Sequence, residues 1–449
     1  MAQRLNSATV FSPWQEQLEA APQILVGFSG GLDSTVLLAL LVDIIPAQCL
    51  CAVHVNHGLS NNASQWQSHA EAFCRSLGVQ LHSEAVSVQE TGQGLEAAAR
   101  EARYQVFENL LQQDGLLLLG HHADDQVETV LYHLLRGSGS KGLSGIPASR
   151  AIARGQLIRP LLSWQKAQLQ TYAEQRKLSW IEDETNLEST FDRNYLRNNV
   201  VPEIAARWPD YAQRIARSAQ LSKDSEDLAL AVAVEDLQGL DARVERGGWS
   251  LCLDAFAALT VVRQKNTLRQ WPGLLQLPLP GHKIIDEILC AVIRAREDSA
   301  PKIMWQGLRW GRFRNRLYLV AVSDQLPVMN QGLLWQPELP LVLPDGSSLV
   351  GEITLGQGLY LESGQPVMVR TRLGGERCMP AGRKHSNSLK KLLQESNLEP
   401  WWRDRIPLLY RGEQLVAVGD LWVCEGYQAA PDQPGISVSW HLNSLLDSQ

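Results

Sequence analysis

The sequence has no apolar run long enough to cross a membrane, so we expect no membrane partner. The strongest candidate, Thr35 to Ile45, falls short of the ~18 residues that a span requires and is interrupted by Asp43. Met1 to Leu18 lacks the basic start and apolar stretch of a secretory signal. The seven cysteines are an odd number and include no C-x-x-C pair, which favours reduced thiols over a disulfide framework. We therefore expect a cytoplasmic protein.

Composition excludes a disordered chain, because 45% of the residues are hydrophobic and 20% are charged. The net charge of −7 argues against a chain that binds nucleic acid over its whole surface. Charge is unevenly distributed, however. Between Arg370 and Arg411, ten basic residues stand against four acidic ones, so this segment carries +6 and the rest carries −13. With Trp401 and Trp402 among the charges, it predicts an RNA-binding module with base stacking; the alternative is a solvated basic surface.

The first 145 residues alternate short apolar runs with segments of helical periodicity. The strand-like runs are Ile24 to Phe28, Cys49 to Val55, Val79 to Val86 and Leu116 to Leu119. This alternation predicts an α/β fold with a parallel, Rossmann-like sheet and helices on both faces, whose ligands bind beyond the carboxyl ends of the strands.

Length and pattern predict several domains, since a domain typically takes ~150 residues. We expect a catalytic domain at 1–208, a mainly helical domain at 209–325, a linker with small β structure at 326–365, and a basic, mixed α/β domain at 366–449. In the helical domain, the alternation from Trp305 to Val322 predicts a hairpin that turns near Arg314 and carries a second basic stretch.

The loop Ser29-Gly30-Gly31-Leu32-Asp33-Ser34 joins the first strand to a helix. Backbone N–H groups at such a helix start bind anions, and the glycines permit close approach. The lysine of a Walker A loop is missing. Because phosphate would repel Asp33, a Mg²⁺ ion between them is expected. The alternative is that Asp33 or Ser34 only caps the helix.

Two further groups of polar residues follow later strands of the predicted sheet. His54 and Asn56 end the second strand, where they would border a nucleotide. Asp124, Asp125 and Glu128 begin the helix after the fourth strand. The alternative for the acids is helix capping, but carboxylates on one helical face are costly unless a cation joins them.

The six-residue loop resembles the PP-loop of the ATP pyrophosphatase superfamily, whose members split ATP into AMP and pyrophosphate. A set of motifs in order over residues 24 to about 205 narrows the resemblance to the tRNA(Ile)-lysidine synthetase family. The motifs are S-G-G-L-D-S at Ser29, H-V-N-H-G-L at His54, E-x-x-x-R-x-x-R-Y at Glu96, G-H-H-A-D-D-Q-V-E-T at Gly120, R-G-S-G at Arg136, R-P-L-L at Arg159, W-I-E-D-E-T-N at Trp180 and R-N-x-x-R at Arg193.

The resemblance implies a ligase that uses ATP and Mg²⁺ to adenylate the wobble cytidine of the CAU anticodon of tRNA(Ile). Free L-lysine would then attack C2, giving lysidine, AMP and pyrophosphate and changing the tRNA from methionine to isoleucine identity. Whether the protein forms a homodimer stays an open question.

Specific residues take roles under this resemblance. They are Ser29, Gly30, Gly31, Leu32, Asp33, Ser34, His54 and Asn56 for the nucleotide; Asp33, Arg103, Asp125 and Glu128 for catalysis, with Asp125 and Glu128 on lysine; Asp33 and Asp124 for metal; and Arg193, Arg197, Arg383, Lys390, Lys391, Arg403 and Arg405 for tRNA.

Two alternatives remain. A PP-loop tRNA thiolase would activate the same carbonyl for sulfur, but such enzymes generally rely on cysteine pairs or an iron–sulfur cluster, and no C-x-x-C pair occurs here. A nucleotide-binding sensor would hold ATP without chemistry. It gives no role to Asp124, Asp125 and Glu128 or to the basic segment.

Overall fold

The structure is a computed structural model that describes residues 4–58, 62–87, 95–182, 192–295, 301–322, 332–362 and 365–442. The chain divides into two compact units, residues 1–228 and 229–449. The finer division at 208, 325 and 365 stays a prediction. Over the described residues, no helix is both long enough and apolar enough to cross a bilayer.

The first unit alternates strands with helices. Its strands are β1 (Ile24–Gly27), β2 (Leu50–Asn56), β3 (Gln80–Ala85), β4 (Leu116–Leu118), β5 (Ser149–Ile152) and β6 (Gly155–Ile158). Its helices are α1 (Ser7–Phe11), α2 (Gln15–Ala20), α3 (Leu32–Val42), α4 (Ala63–Leu77), α5 (Leu95–Leu110), α6 (Ala123–Leu135), α7 (Ser140–Leu143), α8 (Lys166–Gln175), α9 (Asp192–Tyr195), α10 (Val201–Arg207) and α11 (Tyr211–Gly239), the last of which continues into the second unit.

A mostly parallel sheet forms the centre of the first unit and confirms the predicted α/β fold. Its strands lie in the order β3-β2-β1-β4-β6-β5, and only the pairing of β5 with β6 is antiparallel among these described strands. Alternate side chains of β1 enter different cores: Ile24 and Val26 pack with α3, while Leu25 packs with α5. The sheet is therefore covered on both faces, as the continuous apolar run of β1 predicts.

The carboxyl ends of β1, β2 and β4 meet at one edge of this sheet, which we call the carboxyl edge. The loop before α3, the segment at His57 and the start of α6 all lie there. Gly120 shows how tightly these segments pack, because a Cβ atom on it would lie 3.0 Å from the carbonyl carbon of Asp33 and 3.1 Å from the backbone nitrogen of Ser34. Glycine at this position lets the two segments touch.

The second unit contains helices and antiparallel sheets. Its helices are α12 (Leu253–Ala258), α13 (Val261–Leu274), α14 (His282–Glu287) and α15 (Leu389–Glu395), with a π-helical stretch at Ile288–Ile293. Its strands are β7 (Arg243–Glu245), β8 (Gly248–Cys252), β9 (Lys302–Trp305), β10 (Leu308–Phe313), β11 (Arg316–Ala321), β12 (Leu333–Trp335), β13 (Leu341–Val342), β14 (Ser348–Leu355), β15 (Val367–Arg370), β16 (Arg377–Cys378), β17 (Asn387–Ser388), β18 (Leu408–Arg411), β19 (Gln414–Val418), β20 (Trp422–Val423) and β21 (Pro434–His441).

The region predicted as mainly helical has its helices and, in addition, a sheet in the order β7-β8-β11-β10-β9. The predicted hairpin is confirmed, because β10 pairs with β11 and Arg314 makes the turn with a φ of +53°. The buried indole of Trp310 on β10 packs edge-on against Trp271 of α13, which joins the sheet to the helices.

The last part of the chain is the predicted mixed α/β structure. It holds one sheet in the order β12-β15-β18-β19-β20, another in the order β13-β14-β21, and the helix α15. The segment 332–362 contributes strands to both sheets.

The predicted stacking role of Trp401 and Trp402 is wrong. Their exposed fractions are only 7% and 3%, and Trp401 packs edge-on against Tyr318 in the apolar core. An indole enclosed by protein on its faces offers no surface to a nucleic-acid base. These tryptophans hold the fold together.

Candidate active site

The loop between β1 and α3 closes on itself through two serines. The Ser29 backbone N–H donates to Ser34 Oγ at 3.2 Å, and the two hydroxyls lie 3.2 Å apart. The Gly31 N–H donates to Ser29 Oγ at 3.3 Å. Ser34 sits in the first turn of α3, so these bonds hold the loop against the positive end of that helix. The predicted phosphate-binding segment, which we call the cradle, is thus held at that helix end, and its binding of an anion stays a prediction.

Gly30 has a backbone conformation that suits glycine. Its φ is +82°, and a Cβ atom there would lie 3.2 Å from the Cδ1 of Ile181. The Ile181 N–H donates to the Gly30 carbonyl at 2.9 Å, which ties the loop to a segment about 150 residues later.

His54 and Asn56 support the loops around the cradle. The His54 Nδ1–H donates to the Phe28 carbonyl at 3.0 Å, and burial lowers the pKa of this imidazole, so it is neutral at pH 7. Asn56 Oδ1 accepts from the Gly58 N–H at 2.9 Å. Direct contact of either side chain with a nucleotide stays a prediction.

His122 lies at the centre of three carboxylates and caps α6, because its Nδ1 accepts from the Asp124 N–H at 3.2 Å. Its Nε2 lies 3.5 Å from Asp33 and 3.6 Å from Asp125, and its Nδ1 lies 3.5 Å from Asp124. Burial alone lowers the pKa of His122, but Asp124, Asp33 and Asp125 outweigh it and raise the pKa to about 10. Sequence reasoning missed this residue, although its place two positions before a pair of acids was a usable signal.

Asp124 and Asp125 both accept hydrogen bonds from backbone N–H groups, Asp125 at the start of α6 and Asp124 at the start of α8. Asp124 accepts from the Lys166 N–H at 2.8 Å and from the Tyr211 hydroxyl at 3.0 Å. Burial raises its pKa, but hydrogen bonds from His122, Lys166 and Tyr211 outweigh burial and lower the pKa to about 2. Asp125 accepts from the His122 N–H at 2.9 Å. The capping alternative therefore describes part of what these acids do.

Glu128 is buried and forms a bidentate ion pair with Arg197. Arg197 Nε and Nη2 lie 2.6 and 2.8 Å from the two carboxylate oxygens, and Nη2 lies 3.6 Å from Asp125. Burial raises the pKa of Glu128 despite this arginine. Arg197 therefore supplies the cation that these neighbouring acids require. The sequence predicts a tRNA contact for this arginine, but the structure places it at the carboxylates.

Asp33 is the residue best suited to hold a magnesium ion. Its Oδ2 faces His122, while its Oδ1 is enclosed and has no hydrogen-bond partner among the described residues. A buried carboxylate oxygen without a donor favours a cation. Mg²⁺ in nucleotide sites takes one or two carboxylates and completes its shell with phosphate oxygens and water. Asp124, whose two oxygens already accept hydrogen bonds, suits this role less well.

Arg103 of α5 lies beside the two histidines that border the site. Burial is the main reason that the pKa values of His57 and His121 are lowered, and the charge of Arg103 adds to the effect on both. The half-buried guanidinium is therefore close to the carboxyl edge. Its catalytic role stays a prediction.

The cysteines near the sheet lie away from this site. Cys49 and Cys51 stand at the amino end of β2, the opposite edge from the loop. Over the described residues, no three or more His, Cys, Asp or Glu side chains form a group that could hold a metal. These positions give no support to the thiolase alternative.

Comparison with known proteins identifies the family. Models described as a PP-loop domain, a TilS substrate binding domain and a TilS substrate C-terminal domain match residues 4–204, 251–318 and 367–440. The tRNA(Ile)-lysidine synthase of Coxiella burnetii is 39% identical over 92% of this chain and 92% of its own length. That of Serratia proteamaculans is 38% identical over 97% and 99%. The chain belongs to the tRNA(Ile)-lysidine synthase family.

A solved structure of the U34-tRNA thiolase NcsA from Methanococcus maripaludis is also similar, at 18% identity and a TM-score of 0.41 over 48% of this chain and 78% of that one. This likeness is too weak to carry an argument.

Three of the residues predicted to bind tRNA in this lysidine synthase family member are exposed in its C-terminal domain. Lys390 and Lys391 extend from α15, and Arg383 pairs with Glu395 at 2.7 Å on the same surface. We call Arg383, Lys390 and Lys391 the α15 basic surface.

The other residues predicted for tRNA are placed differently. Arg405 is only 5% exposed, and Arg403 donates to the Leu398 carbonyl and lies over the Phe313 ring. Arg193 is half-buried on α9. Of the C-terminal residues predicted to bind tRNA, those of the α15 basic surface are thus the ones that face solvent.

The second basic stretch of the sequence consists of Lys302, Arg309, Arg312, Arg314 and Arg316. It is mostly engaged within its own unit. Arg312 donates to the carbonyls of Ile293 and Ala295, and Arg316 pairs with Asp241. These contacts connect the hairpin to its neighbours, which leaves the α15 basic surface as the stronger candidate for RNA.

Proposed function

We propose that this protein ligates L-lysine to C2 of the wobble cytidine in the CAU anticodon of tRNA(Ile) and converts ATP into AMP and pyrophosphate. The observation that carries the proposal is the similarity to curated tRNA(Ile)-lysidine synthases over more than nine-tenths of the chain. The loop Ser29–Ser34, the carboxylates and the α15 basic surface support the proposal.

The first step adenylates the cytidine. ATP lies on the loop Ser29–Ser34, whose N–H groups and helix end stabilise negative charge on the phosphates. Asp33 would hold Mg²⁺, which would supply positive charge to the same phosphates. The C2 carbonyl oxygen of the cytidine attacks the α-phosphorus, the bond to pyrophosphate breaks, and the base carries AMP. Arg103, at the edge of the site, stabilises the added charge.

The second step needs an uncharged lysine amine at neutral pH. Asp125 and Glu128 attract the lysine ammonium to the site, and Glu128 is the proposed proton acceptor because burial raises its pKa and so its basicity. The amine attacks C2, the bond between C2 and the AMP oxygen breaks, and AMP leaves. Arg197 holds the Glu128 carboxylate in one orientation.

The reaction also requires the wobble base to leave the anticodon stack, as recognition of single-stranded RNA generally does. The α15 basic surface is proposed to bind a part of the tRNA that is distant from the reacting base. A cytoplasmic location follows from these substrates as part of the same proposal, and the oligomeric state stays open.

The test incubates the protein with ATP, Mg²⁺, labelled lysine and transcripts of tRNA(Ile) or elongator tRNA(Met), both with a CAU anticodon. We expect label in tRNA(Ile), with release of AMP and pyrophosphate, and little label in tRNA(Met). Equal labelling of both would overturn the specificity. AMP release that does not depend on lysine and tRNA would favour a nucleotide sensor or an unrelated hydrolase.

A further inference from the structure

A group of cationic side chains surrounds one tyrosine at the carboxyl edge, outside the loop and the carboxylates described above. It consists of Arg100 and Tyr104 on α5, Arg150 on β5, and His121 and Arg159 at the ends of β4 and β6. We call these five residues the Tyr104 cluster.

Arg159 is buried, and its described hydrogen-bond partners carry no negative charge. It is only 3% exposed, and each of its three nitrogens donates to a neutral acceptor. Nε donates to His121 Nδ1 at 3.2 Å, Nη1 to the Pro147 carbonyl at 2.7 Å, and Nη2 to the Tyr104 hydroxyl at 3.4 Å. A buried guanidinium ordinarily has a carboxylate beside it, because desolvating a charge is costly.

Two exposed arginines converge on the same tyrosine. Arg100 donates to the Tyr104 hydroxyl at 3.3 Å, and the guanidinium carbons of Arg100 and Arg150 each lie 5.0 Å from the centre of the ring. Among the residues whose side chains the structure describes, Arg100, Arg150 and Arg159 take neutral hydrogen-bond acceptors. Like charges in this arrangement repel one another, so a bound anion would stabilise the cluster.

The cluster lies next to the site but on another side of the sheet from the ATP loop. Helix α5 covers one face and α3 the other. Because α5 follows β3 and β5 runs antiparallel to β6, the first turns of α5 and the start of β5 both lie at the carboxyl edge. His121 directly precedes His122, so the cluster borders the carboxylates from the α5 face.

We propose that the Tyr104 cluster binds a phosphodiester of the tRNA anticodon loop and so positions the wobble base over the ATP loop. The proposal rests on the proposed function. Planar guanidinium groups match phosphate oxygens in a two-pronged geometry, and backbone phosphate contacts fix register without reading sequence. Arg159 sits at the floor, Arg100 and Arg150 form the exposed rim, and the Tyr104 hydroxyl fixes the orientation of Arg100 and Arg159.

Phosphate could also come from ATP or pyrophosphate, and the test separates these sources. It uses Arg100→Gln and Arg150→Gln, since both residues are exposed and neither holds the core. Arg159 is left intact because its loss threatens folding. Arg154→Gln is the matched control: Arg154 is exposed in the turn of the β5–β6 hairpin, at the end away from the carboxyl edge.

For each rim variant we expect the Kd of tRNA(Ile) to rise about tenfold, equally for tRNA(Met), with a salt slope lower by about one and an unchanged KM for ATP. Arg154→Gln should match the wild type. An unchanged Kd and slope in both rim variants would overturn the site. A higher KM for ATP with unchanged tRNA binding would assign the phosphate to the nucleotide and overturn the RNA proposal.

The wild-type protein in the same lysine-ligation assay keeps the two proposals apart. If it attaches no lysine to tRNA(Ile), the proposed function fails. If it attaches lysine while the rim variants bind tRNA normally, only the Tyr104 cluster loses its role.

Discussion

His122 balances the negative charge of the site. Asp33, Asp124 and Asp125 lie within 3.6 Å of its ring, and a positive charge on the ring offsets their mutual repulsion. The histidine thereby couples the ATP loop, through Asp33, to the helix that carries the proposed lysine-binding residues. Its charge should influence both stability and substrate binding.

We expect the stability contributed by His122 to fall as the pH rises. Its folded pKa of about 10 exceeds the ordinary value of 6.5, so the contribution is fully present below pH 6.5 and is lost as the pH approaches 10. His122→Gln should lower the stability at pH 7 by on the order of 2 kcal/mol. Calorimetric Tm values of wild type and variant from pH 6.5 to 10 should converge at the alkaline end.

The control for this series is His82→Gln, which removes a partly exposed histidine from β3. Its Tm difference from the wild type should stay small across the range. A His122 difference that is constant with pH would contradict the assigned charge.

Asp33→Asn should lower the rate of pyrophosphate release by about 100-fold or more, because the variant loses the carboxylate that faces both His122 and the proposed Mg²⁺. The variant should need a higher Mg²⁺ concentration than the wild type to reach its half-maximal rate. Asp43→Asn is the control, since Asp43 caps the other end of α3 and pairs with Arg176. Equal pyrophosphate release by Asp33→Asn and wild type would remove Asp33 from the reaction.

Glu128→Gln should raise the KM for lysine about tenfold and lower kcat, because it removes both a charge for the ammonium and the proposed proton acceptor. The Kd of tRNA should be unchanged. Steady-state kinetics with lysine as the varied substrate measure this, and Glu203→Gln, an exposed glutamate on α10, serves as control. An unchanged lysine KM would show that Glu128 serves Arg197 alone.

The close approach of the start of α3 to the residues after β4 depends on Gly120. A methyl group there would approach Asp33 and Ser34 backbone at 3.0 to 3.1 Å, so Gly120→Ala should push the loop away and raise the KM for ATP about tenfold. Gly239→Ala, at a glycine with open space around it, should bind ATP normally. Normal ATP kinetics in Gly120→Ala would mean that the loop tolerates this shift.

The regular spacing of apolar residues along the chain was enough to predict the helices and strands that it marks. The parallel sheet follows from apolar runs such as Ile24–Gly27, and α15 and the β10–β11 hairpin were equally predictable. The sheet around β8 was not, because Gly248–Cys252 is short and pairs with residues more than sixty positions later. The burial of Trp401 and Trp402 also depends on distant partners, which no local charge pattern reports.

The site shows the same division. The loop Ser29–Ser34 and the acids of α6 were found because glycines and adjacent carboxylates are unusual at those positions. The pairing of Glu128 with Arg197 joins residues 69 positions apart. The charge on His122 requires Asp33 from another strand end, and therefore needed the fold.

The molecule as a whole combines an acidic chain with a locally basic surface. Lys390→Gln and Lys391→Gln together should weaken binding of tRNA(Ile) and tRNA(Met) alike, and should lower the salt slope by about 0.7 to 0.9 for each phosphate that the variant no longer binds. Filter binding at several salt concentrations measures this, with Lys177→Gln in the first unit as control. An unchanged slope would leave the α15 basic surface as a merely solvated one.

The central claim is tested most directly by identifying the nucleoside at the wobble position. The protein is incubated with ATP, Mg²⁺, lysine and tRNA(Ile), and the anticodon nucleosides are analysed by mass spectrometry after nuclease digestion. We predict cytidine joined to lysine through its ε-nitrogen at C2, formed in a ratio of one to the AMP released. An unmodified cytidine despite AMP release, or a sulfur atom at C2 when a sulfur donor is supplied, would contradict the account.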